Sequence, residues 1–179
     1  MYRKMFLSIL IVISFILSFN LVYITDQNID ALNDDFGISF VAELDSYEEY
    51  RDYDNSDVHG IVYLTYNPNF NDLSYEVYLE GLSYEEGDDV EIIQIHLGMP
   101  DENGPTVLSL CDEKKGKGHC REGPGLSVEG ILTEKDLKGP LKGSSLDELL
   151  ELIEYGETYV YVQSRDHPEG EIRGQIHPD

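Results

Sequence analysis

The stretch Leu73-Ser74-Tyr75-Glu76-Val77-Tyr78-Leu79-Glu80 decides the fold class. Leu73, Tyr75, Val77 and Leu79 alternate with Ser74, Glu76, Tyr78 and Glu80, giving one apolar and one polar face. A period of two belongs to a half-buried strand, because successive side chains of an extended chain point to opposite sides. Strand patterns of the same kind fit residues 38–44, 58–66, 90–97, 106–110, 126–132, 158–164 and 171–176. Turn signals separate them, among them Asn67-Pro68-Asn69, Glu86-Gly87-Asp88-Asp89, Asn103-Gly104-Pro105 and Pro168-Glu169-Gly170.

Two segments break this rhythm. Residues 133–137 open on a Thr133-x-x-Asp136 cap pattern and stop at Gly139. Ser145-x-x-Glu148 is a capping box, after which Leu146, Leu149, Leu150 and Ile153 recur at helical spacing. This predicts a helix of two to three turns laid against a sheet. Many short strands with few helices make an all-β domain, a sandwich or barrel built mainly from antiparallel hairpins.

The N-terminus stands outside that domain. Arg3 and Lys4 precede Met5 to Ile24, which are free of charge. A basic start followed by an apolar run reads as a secretory signal, and its length also suffices for a membrane anchor helix. Phe19-Asn20-Leu21-Val22-Tyr23 offers no small-residue cleavage site, so signal and anchor both stay open for residues 1–24. Either reading leaves Arg3 and Lys4 on the cytoplasmic side and the domain outside. Residues 25–37 are polar and acidic, an expected linker, and residues 38–179 form the expected β domain.

All 36 acidic residues lie beyond Ile24, in a chain of net charge −24. That balance repels nucleic-acid backbones and excludes a phosphate-tracking role, while it suits calcium or high salt. Cys111 and Cys120 are the only cysteines. In an exported chain the pair is expected to form a disulfide; with His119 they match no zinc spacing.

Four constellations bear on chemistry. Asp52, Asp54 and Asp57 begin like a calcium loop, but Asp57 and Tyr63 stand where an EF-hand needs Gly and Glu. They read as a solvated acidic turn, with a weak calcium site as the alternative. Of His59, His96, His119, His167 and His177, His96 lies on strand 90–97 and shares a face with Gln94, so that strand supplies one imidazole where a copper or zinc centre wants several. It reads as a hydrogen-bonded structural histidine, a metal ligand being the alternative. Ser109, Ser127, Ser144 and Ser145 lie in no Gly-x-Ser-x-Gly elbow. Finally, Lys114, Lys115, Lys117 and Arg121 crowd the cysteine-bounded loop, a solvated tip or a contact for an anionic partner.

From residue 38 to 177 the chain resembles the CHRD domain, the module named after chordin. The resemblance rests on Ile93-Gln94-Ile95-His96-Leu97-Gly98, Glu102-Asn103-Gly104-Pro105-Thr106-Val107, and Gly130-Ile131-Leu132-Thr133 with Asp136-Leu137. It continues through the predicted helix, Gly156-x-x-Tyr159-Val160-x-Val162, and Pro168-x-Gly170-Glu171-Ile172-Arg173-Gly174-Gln175-Ile176. It implies an antiparallel Greek-key-type sandwich, immunoglobulin-like or superoxide-dismutase-like, exported and without an established activity. Many members resemble His-x-His where this chain has Gln94-Ile95-His96, and His where it has Gln163, so a metal centre there would keep His96 alone. The closing motif also has a physical reading. Gly170 and Gly174 permit a turn and a close strand approach. Glu171 and Arg173 share one face, and Ile172 and Ile176 point to the core.

The expected function is therefore a non-enzymatic extracellular or surface-displayed domain that binds a protein or a surface polymer. It needs no cofactor, with calcium as an option, and contacts the membrane only through an uncleaved N-terminal segment. A metal-dependent, dismutase-like enzyme is the alternative, and a calcium-stiffened surface protein the second.

Overall fold

The computed structural model describes residues 37–46, 58–82, 90–112, 120, 125–165 and 167–179. Residues 1–24, nearly all of the expected linker, Asp52, Asp54, Asp57, Lys114, Lys115, Lys117, His119 and Arg121 lie outside them. Nine strands are described: β1 (Ile38–Ser46), β2 (His59–Asn67), β3 (Asp72–Glu80), β4 (Val90–Leu97) and β5 (Thr106–Asp112), then β6 (Leu126–Leu132), β7 (Thr158–Ser164), β8 (Ile172–Gln175) and β9 (His177–Pro178). Every predicted strand is present. The lateral order is β5-β4-β7-β8-β1-β2-β3-β6, with β9 also on β1, and every pairing is antiparallel.

The path folds into two layers. β6, β3, β2 and β1 form one sheet and β5, β4, β7 and β8 the other, joined where β1 passes from β2 to β8. β3 neighbours β6, and β4 neighbours β7, across intervening strands, which are Greek-key-type connections. The alternation of β3 is realised as read: Leu73, Tyr75, Val77 and Leu79 are buried, and Glu76, Tyr78 and Glu80 are exposed. Ile93, Ile95, Val160 and Val162 face them from the other layer, each fully buried. Sealing one such side chain contributes about 1.5–3 kcal/mol.

The helix α1 (Leu146–Glu154) begins where the capping box placed it, with Ser145 Oγ accepting from the Glu148 amide at 3.3 Å. Its four predicted apolar residues are all buried in the common core. Residues 134–136 make a single 3-10 turn closed by Thr133 and Asp136, shorter than an α-helix because Gly139 and Pro140 follow.

Two close contacts help tie the layers together. Tyr75 sends its hydroxyl from β3 to the carbonyl of Leu110 on β5, at 2.7 Å and buried. Its ring lies over Gly130 of β6, where a Cβ would meet it at 2.7 Å. Gly174 of β8 presses on β1 so closely that a Cβ would stand 1.9 Å from the Glu43 carbonyl oxygen. Cys111 and Cys120 form the expected disulfide, with Cα atoms 5.7 Å apart.

Two outcomes follow. Gly174→Ala should cost about 1–3 kcal/mol, the range of an overpacked core, whereas Gly125→Ala, where a Cβ meets nothing closer than 3.6 Å, should be near neutral; denaturant titration compares them. Converting Cys111 and Cys120 to Ser should lower stability by about 2.5–3 kcal/mol, because the loop closed is about ten residues long, and leave the far-ultraviolet β signature unchanged.

Candidate functional site

Strand register places the outer side chains of the β5-β4-β7-β8 sheet in rows. Thr106, His96, Tyr159 and Gln175 pair directly across four strands, and Ser109, Gln94, Tyr161 and Arg173 make the next row. Gln94 shares its face with His96, as the alternation of β4 required. Ile93 and Ile95 point the opposite way into the core.

A hydrogen-bonded chain runs through these rows. His96 Nδ1 stands 2.9 Å from the Gly104 carbonyl oxygen. Its Nε2 lies 3.2 Å from both Gln94 Oε1 and Thr106 Oγ1. The other end of the Gln94 amide meets Ser109 Oγ at 3.3 Å, and the Lys138 ammonium donates to the same hydroxyl. Two tyrosines flank the imidazole, with ring centres 5.3 Å away for Tyr159 and 5.1 Å for Tyr161.

Arg173 completes the cluster. Its guanidinium carbon sits 3.7 Å above the Tyr159 ring centre, a cation–π distance. It also donates to the carbonyl oxygens of Glu102 at 3.1 Å and Met99 at 3.5 Å. The Tyr159 hydroxyl accepts from the Gly104 amide at 3.2 Å, and Gln175 donates to the carbonyls of Gly98 and Gly156. His96, Tyr159, Arg173 and Gln175 thus converge on residues 98–104, the connection from β4 to β5. Gly104 can lie there because a Cβ would stand 1.8 Å from the Leu97 carbonyl oxygen. Together they clamp one loop.

The CHRD domain family matches residues 40–176, most of the chain. The chain belongs to the CHRD family. No curated protein matches it.

The clamp gives the motifs that carry the resemblance a physical content, since His96, Gly104, Tyr159, Arg173 and Gln175 all act on the same loop. Gly170 and Glu171 serve the neighbouring turn. Gly170 has φ +114° and lies against the Tyr161 ring, and Glu171 accepts from Ser164 Oγ at 2.5 Å and stands 3.6 Å from His167. Ile172 and Ile176 are buried, as their spacing required. Gln163 does not join His96. It pairs with Ile92, two rows away, roughly 13 Å along the strand, and donates to the Pro168 carbonyl at 2.6 Å. Among the described residues no group of three His, Cys, Asp or Glu side chains is placed to hold a metal ion. At His96 the Nδ1 side faces a carbonyl, and the neighbours of Nε2 are an amide and a hydroxyl, weak ligands for copper or zinc.

Burial lowers the His96 pKa below the ordinary histidine value; the Gly104 bond opposes this, and the Lys138 and Arg173 cations reinforce it. The ring is therefore neutral near pH 7, with its proton on Nδ1 donated to Gly104. A lone pair at Nε2 then favours the Gln94 amide turned so that its NH₂ meets the ring, an orientation the network decides. Tyr161 and Lys138 were not singled out by sequence reasoning, Thr106 and Tyr159 entered only through the family resemblance, and Ser109 only as a serine outside any nucleophile elbow. The alternation of Tyr159 and Tyr161 with Val160 and Val162 carried the signal for the two tyrosines, but only the register shows what they flank.

On acidification the unfolded chain takes up the His96 proton before the folded one does. The His96 contribution to stability should therefore be flat above the ordinary histidine pKa, about 6.5, and decline as pH falls below it until the folded ring protonates. Denaturant titrations at about pH 7.5 and pH 5 should show a shallower decline for His96→Gln than for the wild type. An imidazole NMR midpoint at or above the ordinary value would contradict this.

Proposed function

We propose that this CHRD protein is a non-enzymatic binding domain, exported and secreted or displayed on the cell surface, whose partner is a protein or surface polymer. The observation that carries the reading is the clamp. The family-signature side chains His96 and Arg173, with Gln175 beside them, are bonded to carbonyl oxygens of the chain itself. A catalytic group must instead present a lone pair, proton or charge to a reacting atom. Holding that loop, the neighbouring turn and the close approach at Gly174 gives these residues a structural role, and that supports a reading without a reaction. Export is supported by the apolar run behind Arg3 and Lys4 and by the disulfide.

Metal analysis of the purified protein tests the non-enzymatic half. The expected result is no stoichiometric copper or zinc, and none lost on His96→Gln; a full equivalent bound through His96 would establish the dismutase-like alternative. Protease treatment of intact host cells tests the other half. A displayed domain should be digested, and a secreted one recovered from the medium. Protection in intact cells, with digestion only after lysis, would refute both.

A further inference from the structure

The opposite outer face, on the β6-β3-β2-β1 sheet, carries a different set of side chains. Register places Tyr63, Glu76 and Glu129 in one row, and Glu43, Ile61, Tyr78 and Ser127 in the next, with Glu80 beyond. Tyr63 and Tyr78 are 41% and 42% exposed in the middle of the sheet, and Ile131 is 67% exposed at its end. The sequences of β1, β2, β3 and β6 contain no lysine or arginine. Glu76 and Glu129 stand directly opposite each other on antiparallel strands, an arrangement that opposes folding because like charges face across the ladder. The Tyr78 hydroxyl donates to Glu76 at 2.7 Å, which fixes one carboxylate beside the rings.

We propose that this face docks a lysine- or arginine-bearing segment of a partner protein, an inference that rests on the binding-domain reading. Charge complementarity selects the occupant. A long cationic side chain can lay its methylenes on Tyr63, Tyr78 and Ile61 while its head group meets Glu76, Glu129 or Glu43. It would also relieve the facing carboxylates. Ring geometry disfavours the polymer. Tyr63 and Tyr78 cross at 70°, with centres 6.4 Å apart, so they offer no flat platform on which successive sugar rings could stack.

The test is anisotropy titration of the full chain with a labelled peptide of four Arg-Ser repeats, set against its Glu-Ser counterpart and cellohexaose. The Arg-Ser peptide should bind, more weakly as salt is added, and the other two should not. Joint Glu76→Gln and Glu129→Gln should weaken binding about tenfold, as loss of two partly solvated charge contacts predicts, yet raise the melting temperature by removing the like-charge opposition. Loss of binding with gain of stability is a signature that damage to the fold does not produce. Joint Tyr63→Thr and Tyr78→Thr should weaken it as well, and joint Glu151→Gln and Glu154→Gln on the exposed side of α1 should leave it unchanged. Equal weakening by the α1 pair would reduce the effect to diffuse net charge and overturn the proposal. So would absence of peptide binding, or binding of cellohexaose in its place. These outcomes leave the metal and protease results untouched, so this face can fail while the binding-domain reading stands.

Discussion

Strand β1 belongs to both layers, and the contact that lets it do so is the approach of Gly174 to the Glu43 carbonyl. On one side β1 runs in register with β2 from Ile38 to Leu44. On the other, the closing segment meets it at Asp45 and Ser46 through β8 and at Phe40 and Val41 through β9, in one unbroken register. Between those ends the closing segment leans to β7, where the Ile176 amide donates to the Thr158 carbonyl at 3.0 Å. A side chain at position 174 would wedge the layers apart where they are joined.

From that seam the rest of the closing motif follows by alternation. Ile172 and Ile176 point inward, so Arg173 and Gln175 point outward, on the side where β7 presents Tyr159 and Tyr161 and β4 presents His96. Nothing on these strands requires a loop to lie there. The loop comes because Gly98, with φ +152°, and Gly104 let the β4–β5 connection fold back over the sheet, and its exposed carbonyls are what a guanidinium, an amide and a neutral imidazole can satisfy.

How much of this was legible in the sequence depended on the range of the interaction. Strand parity is local, and it correctly gave the buried faces of β3, β4 and β8 and the α1 cap at Ser145. Glycine positions are local too, and the closeness at Gly174 was readable as a need for no side chain. The fold class, the family and the cysteine pairing followed from such signals. The clamp did not. Its members lie between residues 96 and 175, and their meeting depends on β4 pairing with β7 and β7 with β8, which no periodicity encodes. Lys138 is a further case, since it reaches Ser109 from the irregular stretch between two 3-10 turns. Gln163 shows the converse. The family resemblance implied a grouping of Gln163 with His96, and the register separates them by two rows.

The two outer faces of the molecule therefore differ in how their polar groups are used. On the β5-β4-β7-β8 side, histidine, arginine and glutamines meet carbonyls and rings of the chain, and the resulting network holds a loop whose conformation is otherwise unsupported by regular structure. Removing one member leaves a partner unsatisfied, so substitution there acts first on stability. On the β6-β3-β2-β1 side, Glu76 faces Glu129 and two tyrosines remain open to solvent, an arrangement that folding alone does not favour. A sheet surface optimised only for stability would place opposite charges across those strands. Features that cost stability are where selection for something outside the chain leaves its mark. On that physical ground the acidic, aromatic face is the better candidate for function, although the family signature is written on the other one.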